Sequence, residues 1–179
     1  MNVTAFSPAE AIVSQSESRN HGTTRSRQQI ESMMDELGYD LHVHPAHIIR
    51  KAHQRATTYF QQVMAGQDLT PTQFAALSAI LREHEVSQNQ LGRLTAMDPS
   101  TISLVVRKLR KLGLVDKSAS ATDQRLTILR LTDRGEEYTL ERMAKSVDAG
   151  RRLLSPLSSA EQAILLELLQ KISEAPTER

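Results

Sequence analysis

Residues 87–115 read SQNQLGRLTAMDPSTISLVVRKLRKLGLV, and the punctuation of this stretch decides the fold. Ser87-Gln88-Asn89-Gln90 is a capping box, a hydroxyl followed three residues later by a glutamine, and it opens a helix of barely two turns through Leu91 and Leu94. After three more residues Asp98-Pro99 opens a second helix: an aspartate caps the free amides, and a proline fits the first turn, where its missing N–H costs nothing. Ile102, Val105, Val106, Leu109 and Leu112 give that helix one apolar face, and Gly113 ends it. A short helix joined by so few residues to a helix that begins with small polar side chains is a helix-turn-helix. The second helix of such a pair enters the major groove of DNA with its N-terminal residues on base edges. Those residues are Pro99, Ser100, Thr101, Ser103 and Leu104, with Arg107 one turn further on the same side and Lys108 beside it. The small side chains let the backbone approach, the hydroxyls can meet bases or phosphates, and arginine on guanine O6 and N7 is the commonest specific contact in that groove.

Downstream of Gly113 the period changes. Leu114-Val115 and Leu126-Thr127-Ile128-Leu129-Arg130-Leu131 read as two short strands joined by a polar loop, Lys117 to Arg125. The loop holds Asp123-Gln124-Arg125. An arginine at a hairpin tip can enter the minor groove, and an aspartate two residues earlier can orient its guanidinium. Thr132-Asp133 then caps a long helix to about Leu154, Pro156 lies beyond it, and Ser158-Ser159-Ala160-Glu161 opens a last helix through Leu165, Leu168, Leu169 and Ile172. Upstream, Thr70-Pro71-Thr72-Gln73 starts a helix with Phe74, Leu77, Ile80 and Leu81 inward. Pro45 starts another, with Ile48, Ile49, Ala52, Ala56, Phe60 and Val63 on one face, and Gly66 stops it. Ile30, Met33, Met34 and Leu37 mark a short helix closed by Gly38. The expected fold class is mainly α with a small β-hairpin wing. The expected organisation is a polar, disordered tail at 1–25, helices at 26–66, a winged helix-turn-helix at 67–135 and helices at 136–179. Three apolar-faced segments, beginning at Ile30, Ile48 and Leu165, lie outside the DNA-binding core and are more than one chain is expected to bury, which predicts a homodimer.

Composition narrows the function. The chain of 179 residues contains no cysteine, which excludes disulfides, thiolate metal sites and cysteine nucleophiles. The beginning has no apolar run of the kind a secretory signal needs, and no stretch approaches the length of a membrane span, so a cytoplasmic location is expected. The formal charge of +1 is unevenly divided: residues 98–135 carry eight basic and four acidic side chains, leaving the rest of the chain net negative. Basic charge gathered in one short segment suits a phosphate-contacting surface, although a run such as Arg107 to Lys111 read by itself is equally a solvated helix face. There is no phosphate-cradling glycine loop, no Gly-x-Ser-x-Gly elbow and no His-Glu-x-x-His, so an enzyme is not expected. The remaining rival is a helical protein-interaction module without specific DNA binding. Salt-sensitive affinity for duplex DNA separates the two.

The run from Leu69 to Gly135 resembles the MarR family of bacterial regulators. The resemblance is carried by Leu69-Thr70-Pro71-Thr72-Gln73-Phe74, by Asp98-Pro99-Ser100-Thr101-Ile102, by Leu109 to Val115, by Asp123-Gln124-Arg125 and by Leu131-Thr132-Asp133-Arg134-Gly135. Each piece is weak alone, and five in order are specific. Gln124 departs from the family's usual Asp-Arg-Arg, which puts one phosphate contact in doubt. The resemblance implies a homodimer whose first and last helices intertwine, an inverted-repeat operator, repression as the default, and a small-molecule effector that releases the DNA from a pocket between the dimerisation helices and the DNA-binding lobe. Pro45-Ala46-His47-Ile48-Ile49-Arg50-Lys51-Ala52 looks like the start found in regulators of aromatic-acid breakdown, which respond to nicotinate-type acids or aromatic CoA thioesters. His47 and Arg50 stand one turn apart, where an arginine can pair a carboxylate and a histidine can bond a ring substituent. With His53 and Phe74 they form the candidate effector site. Structural bonds across a dimer are the competing reading for His47 and Arg50. His42, His44, His47 and His53 raise the thought of a metal, but none of them stand at His-x-x-x-His spacing, so no metal and no cofactor is expected.

Overall fold

Side-chain caps set where the helices begin. Ser26, Thr70 and Ser158 each close a reciprocal capping box, with Gln29, Gln73 and Glu161 respectively, at the starts of α1 (Arg27–Glu36), α3 (Pro71–Glu83) and α7 (Ser159–Glu174). Ser87, Asp98 and Thr132 cap α4 (Gln88–Thr95), α5 (Pro99–Lys111) and α6 (Asp133–Leu154). The remaining elements are α2 (Pro45–Val63), β1 (Val86–Ser87), β2 (Val115–Ala119) and β3 (Thr127–Leu131). This computed structural model describes residues 25–119 and 127–176. It divides into two units whose boundary falls within α2, between Ala52 and His53.

In the first unit, α1 has no buried residue. Ile30, Met33, Met34 and Leu37 are 38–51% exposed, as are Ile48 and Ile49 at the start of α2 within the same range. Tyr39 and His44 lie with ring centroids 5.4 Å apart.

The second unit holds the core. Phe60 on α2 and Met64 just beyond it, Phe74, Leu77 and Ile80 on α3, Leu91 on α4, Ile102, Val106 and Leu109 on α5, and Val86, Val115 and Leu129 in the sheet belong to one buried cluster. Each such side chain contributes roughly 1.5–3 kcal/mol relative to exposure. The three strands are antiparallel in the order β1-β3-β2. Two features differ from the sequence expectation. Val86-Ser87 forms a strand, pairing with Leu129 and Ile128, although two residues before a cap carry no readable alternation. β2 runs on to Ala119 through residues that read as loop, because Lys117, Ser118 and Ala119 find partners in Leu129, Ile128 and Thr127. Polar side chains on an exposed strand are compatible with the ladder, since the backbone supplies the pairing.

The junction of β3 and α6 is fixed by a close approach. Thr132 donates its hydroxyl to Gly113 C=O at 2.8 Å and accepts from Gly135 N–H at 2.9 Å. A Cβ on Gly135 would stand 1.9 Å from Leu114 O, so only glycine permits this contact. Among the described residues, no helix is long and apolar enough to cross a membrane.

Candidate nucleic-acid interface

The turn between α4 and α5 is short because two local devices close it. Ala96 takes the left-handed conformation, φ 51° and ψ 37°, and Met97 N–H returns to Gly92 C=O at 3.0 Å. Asp98 then starts α5, and its carboxylate accepts four hydrogen bonds. Ser100 and Thr101 give it their backbone N–H groups at 2.9 and 3.0 Å. Both also give it their hydroxyl protons at 2.5 Å. The Ser100 and Thr101 hydroxyls, in that order, hold the Asp98 carboxyl far below the usual carboxylate range, so it is ionised at any physiological pH. Leu91 on α4 and Ile102 on α5 are both buried in the core that the two helices share. Gln88 on the first turn of α4 adds a polar tie, donating its amide to Ser103 Oγ at 3.1 Å while Ser103 donates to Pro99 C=O at 2.8 Å.

The predicted groove residues separate into two groups. Pro99, Ser100, Leu104 and Arg107 are exposed, and Leu104 is 61% exposed although apolar. Ser100, Leu104 and Arg107 stand four and three residues apart and share one stripe of α5. Among the described residues Arg107 has no hydrogen-bond or ion-pair partner. Thr101 and Ser103 are half-buried with their hydroxyl protons already donated. Lys108 turns away from that stripe and pairs with Asp68 at 2.9 Å. Arg130, counted in the basic segment, bonds Glu85 at 2.5 Å and Ser118 at 3.2 Å across the sheet. Among the described residues, the basic charge of this segment available to a ligand is therefore smaller than the sequence count and rests on exposed Arg107, Arg110, Lys111, Lys117 and Arg134. Asp123, Gln124 and Arg125, the expected wing contacts, lie outside the described residues.

Sequence reasoning did not find Asp68 or Gln88. Their partners stand 40 and 15 residues away, and no local pattern announces a contact at that separation. Arg142 is another such case: it stacks on Tyr138, 3.4 Å from the ring centroid, and bonds Gln67, tying α6 to the segment before α3.

For the candidate effector residues, the structure brings His47 and Arg50 together: Arg50 Nη2 lies 3.3 Å from His47 Nδ1. Partial burial first, then the positive charges of Arg50 and Lys51 and the neighbouring His42 and His44, lower the His47 pKa below the ordinary histidine value. These surroundings favour the neutral imidazole. His53 is exposed on α2. Phe74 is 7% exposed and packs on Phe60 with ring centroids 5.7 Å apart, which makes it a core residue of the second unit. Among the described residues, no group of three or more histidine, aspartate or glutamate side chains is gathered around a metal-sized space.

A two-helix unit with a capped, exposed second helix, followed by an antiparallel hairpin, defines a winged helix-turn-helix protein. The sequence model of the MarR family matches residues 67–126. The HTH-type transcriptional repressor NicR of Pseudomonas putida is 31% identical over 142 residues, covering 79% of this chain and 90% of NicR. The crystal structure of a probable transcriptional regulator from Pseudomonas aeruginosa superposes with a TM-score of 0.69 at 40% identity, over 74% of this chain and 99% of that one. BpsR of Bordetella bronchiseptica, whose DNA binding is regulated by 6-hydroxynicotinic acid, gives a TM-score of 0.74 at 28% identity, over 77% of this chain and 99% of BpsR. This chain belongs to the MarR family of transcriptional regulators.

Proposed function

We propose that the protein is a homodimeric repressor that binds an inverted-repeat operator through α5 and the β2–β3 hairpin and is released from it by a small aromatic acid. The observation that carries the DNA-binding part is the exposed Ser100-Leu104-Arg107 stripe, with a guanidinium that has no partner among the described residues and an apolar side chain held outward by a capped, well-packed helix. An exposed leucine on the groove face has a natural counterpart in a thymine methyl group, and a free arginine in guanine. Residues 26–66 and 136–179 serve dimerisation in this reading. Its support is that α7 has no buried residue while Ile164, Leu166, Leu168, Leu169 and Ile172 are 40–63% exposed in one chain. A second copy covering such faces is the commonest assembly of soluble proteins.

The effector part rests on the likeness to BpsR and on the paired His47 and Arg50. A nicotinate-type acid or an aromatic CoA thioester fits an arginine beside a neutral imidazole. The full-length protein is tested by duplex binding across a range of salt together with sedimentation. A dimer whose log affinity falls steeply with log salt is expected. A monomer, or an affinity indifferent to salt, would favour a helical protein-interaction module instead.

A further inference from the structure

At the start of α5 a serine hydroxyl has one proton and two lone pairs, and that proton is already committed. Ser100 and Thr101 both donate to Asp98, and Ser103 donates to Pro99 C=O. Ser103 also accepts from Gln88, which leaves it little to offer. Ser100 is exposed and accepts no hydrogen bond from any described residue, on the stripe it shares with Leu104 and Arg107. In the major groove the keto groups of guanine and thymine accept hydrogen bonds, whereas the amino groups of adenine and cytosine donate them. An acceptor-only hydroxyl therefore discriminates amino from keto bases, opposite to the choice a donating serine makes.

We propose that α5 reads three chemistries in order along the groove: Ser100 accepts from the amino group of an adenine or cytosine, Leu104 packs on a thymine methyl, and Arg107 bonds O6 and N7 of a guanine. This rests on the assignment of α5 as the groove helix. The span from Ser100 to Arg107 is about 10 Å at the α-helical rise, so the three bases fall within about four base pairs at the spacing of stacked bases. Asp98 is a positioning residue. It fixes the direction of the hydroxyl proton, and its own negative charge lies behind the hydroxyls.

The test is selection of bound duplexes from a random-sequence pool by the full-length protein, followed by the same selection with single variants. The parent is expected to enrich a half-site with adenine or cytosine on one strand, then thymine, then guanine. Ser100→Ala is expected to flatten the amino-over-keto preference, about fivefold or more in the parent given the usual cost of one mismatched pair, while keeping the guanine. Arg107→Ala should flatten the guanine and keep the amino base. Asp98→Gly, which retains a tolerated helix cap, frees the hydroxyl and should shift the same position toward keto bases. Thermal melting of each variant checks that it is folded. A keto base at the position flattened by Ser100→Ala overturns the proposal while leaving DNA binding intact, as does a Ser100→Ala profile identical to the parent's. Failure of the parent to enrich any sequence overturns the proposal together with the groove-helix assignment.

Discussion

The ammonium of Lys108 on α5 lies 2.9 Å from the carboxylate of Asp68, which precedes α3. The pair joins α5 to the chain segment before α3, and both partners keep contact with water, so it adds little stability. Its consequence is for charge. Lys108 is neutralised by a neighbour while Arg107, next to it in sequence, faces outward with no partner among the described residues. Two adjacent basic residues thereby differ in the charge they can offer a ligand.

That difference can be measured as salt dependence. Arg107→Ala is expected to relax sequence preference and cost about 1–3 kcal/mol in operator binding. Lys108→Ala is expected to leave the slope of log affinity against log salt closer to the parent's than Arg107→Ala does. Asp68→Asn releases the ammonium and should steepen that slope. Equal slopes for the two lysine and arginine variants would show that Lys108 leaves Asp68 on binding.

A second expectation concerns Gly135, where a Cβ would meet Leu114 O at 1.9 Å. The obstacle is backbone on both sides, at the point where Thr132 already ties α6 to Gly113. Neither partner can give way as a flexible side chain does. Gly135→Ala should destabilise by about 3 kcal/mol, the upper part of the usual range for overpacking. Gly150→Ala, with open space around its Cβ, is the helical-glycine control and should be neutral or slightly stabilising. Urea unfolding of the two variants reads the difference directly.

These cases show what local sequence does and does not carry. Asp98-Pro99 and the Ile102-Val105-Val106-Leu109 face are legible because caps and helical period are properties of neighbours, and the structure places α5 at Pro99–Lys111. Gly135 was legible only as part of a family resemblance, since its reason, the carbonyl of Leu114, comes from across the β3–α6 junction. β1 was missed because two residues hold no period, and its pairing with Leu129 is decided by the rest of the sheet. Phe74 illustrates the opposite limit. An aromatic residue one turn into a helix reads the same whether it lines a ligand site or fills a core, and its burial against Phe60 in the second unit is a tertiary property no local pattern carries.

The cap of α5 predicts an acid response of definite sign. Hydrogen bonds from Ser100 and Thr101 depress the Asp98 carboxyl below its ordinary range in the folded chain. A depressed carboxylate stabilises the fold at pH values above its unfolded pKa, and that contribution is lost as pH falls through the folded value. Asp98→Ala should therefore melt below the parent at pH 7, and the gap should narrow steadily below about pH 4, near the reference carboxylate value. A gap that stays constant into strong acid would mean that the aspartate acts through packing rather than charge.

The effector response should also depend on pH, through His47. In the free protein partial burial and the cationic side chains around His47 lower its pKa and favour the neutral imidazole, while Arg50 contacts its Nδ1. An aromatic carboxylate arriving at Arg50 adds a negative charge that offsets those cations and raises the His47 pKa. Binding then takes up a proton. Linkage requires tighter effector binding as pH falls from about 7.5 to 6, across the histidine range, while the carboxylate itself stays ionised. Release of DNA needs only that the effector prefer the DNA-free form. Titrating 6-hydroxynicotinate and a series of benzoates against an operator complex should give release at concentrations that fall with pH. His47→Gln should retain release but lose the pH dependence, and Arg50→Ala should lose release. Equal release from the Arg50→Ala protein would move the site elsewhere. A parent insensitive to these acids and to their CoA thioesters would exclude the aromatic-acid class.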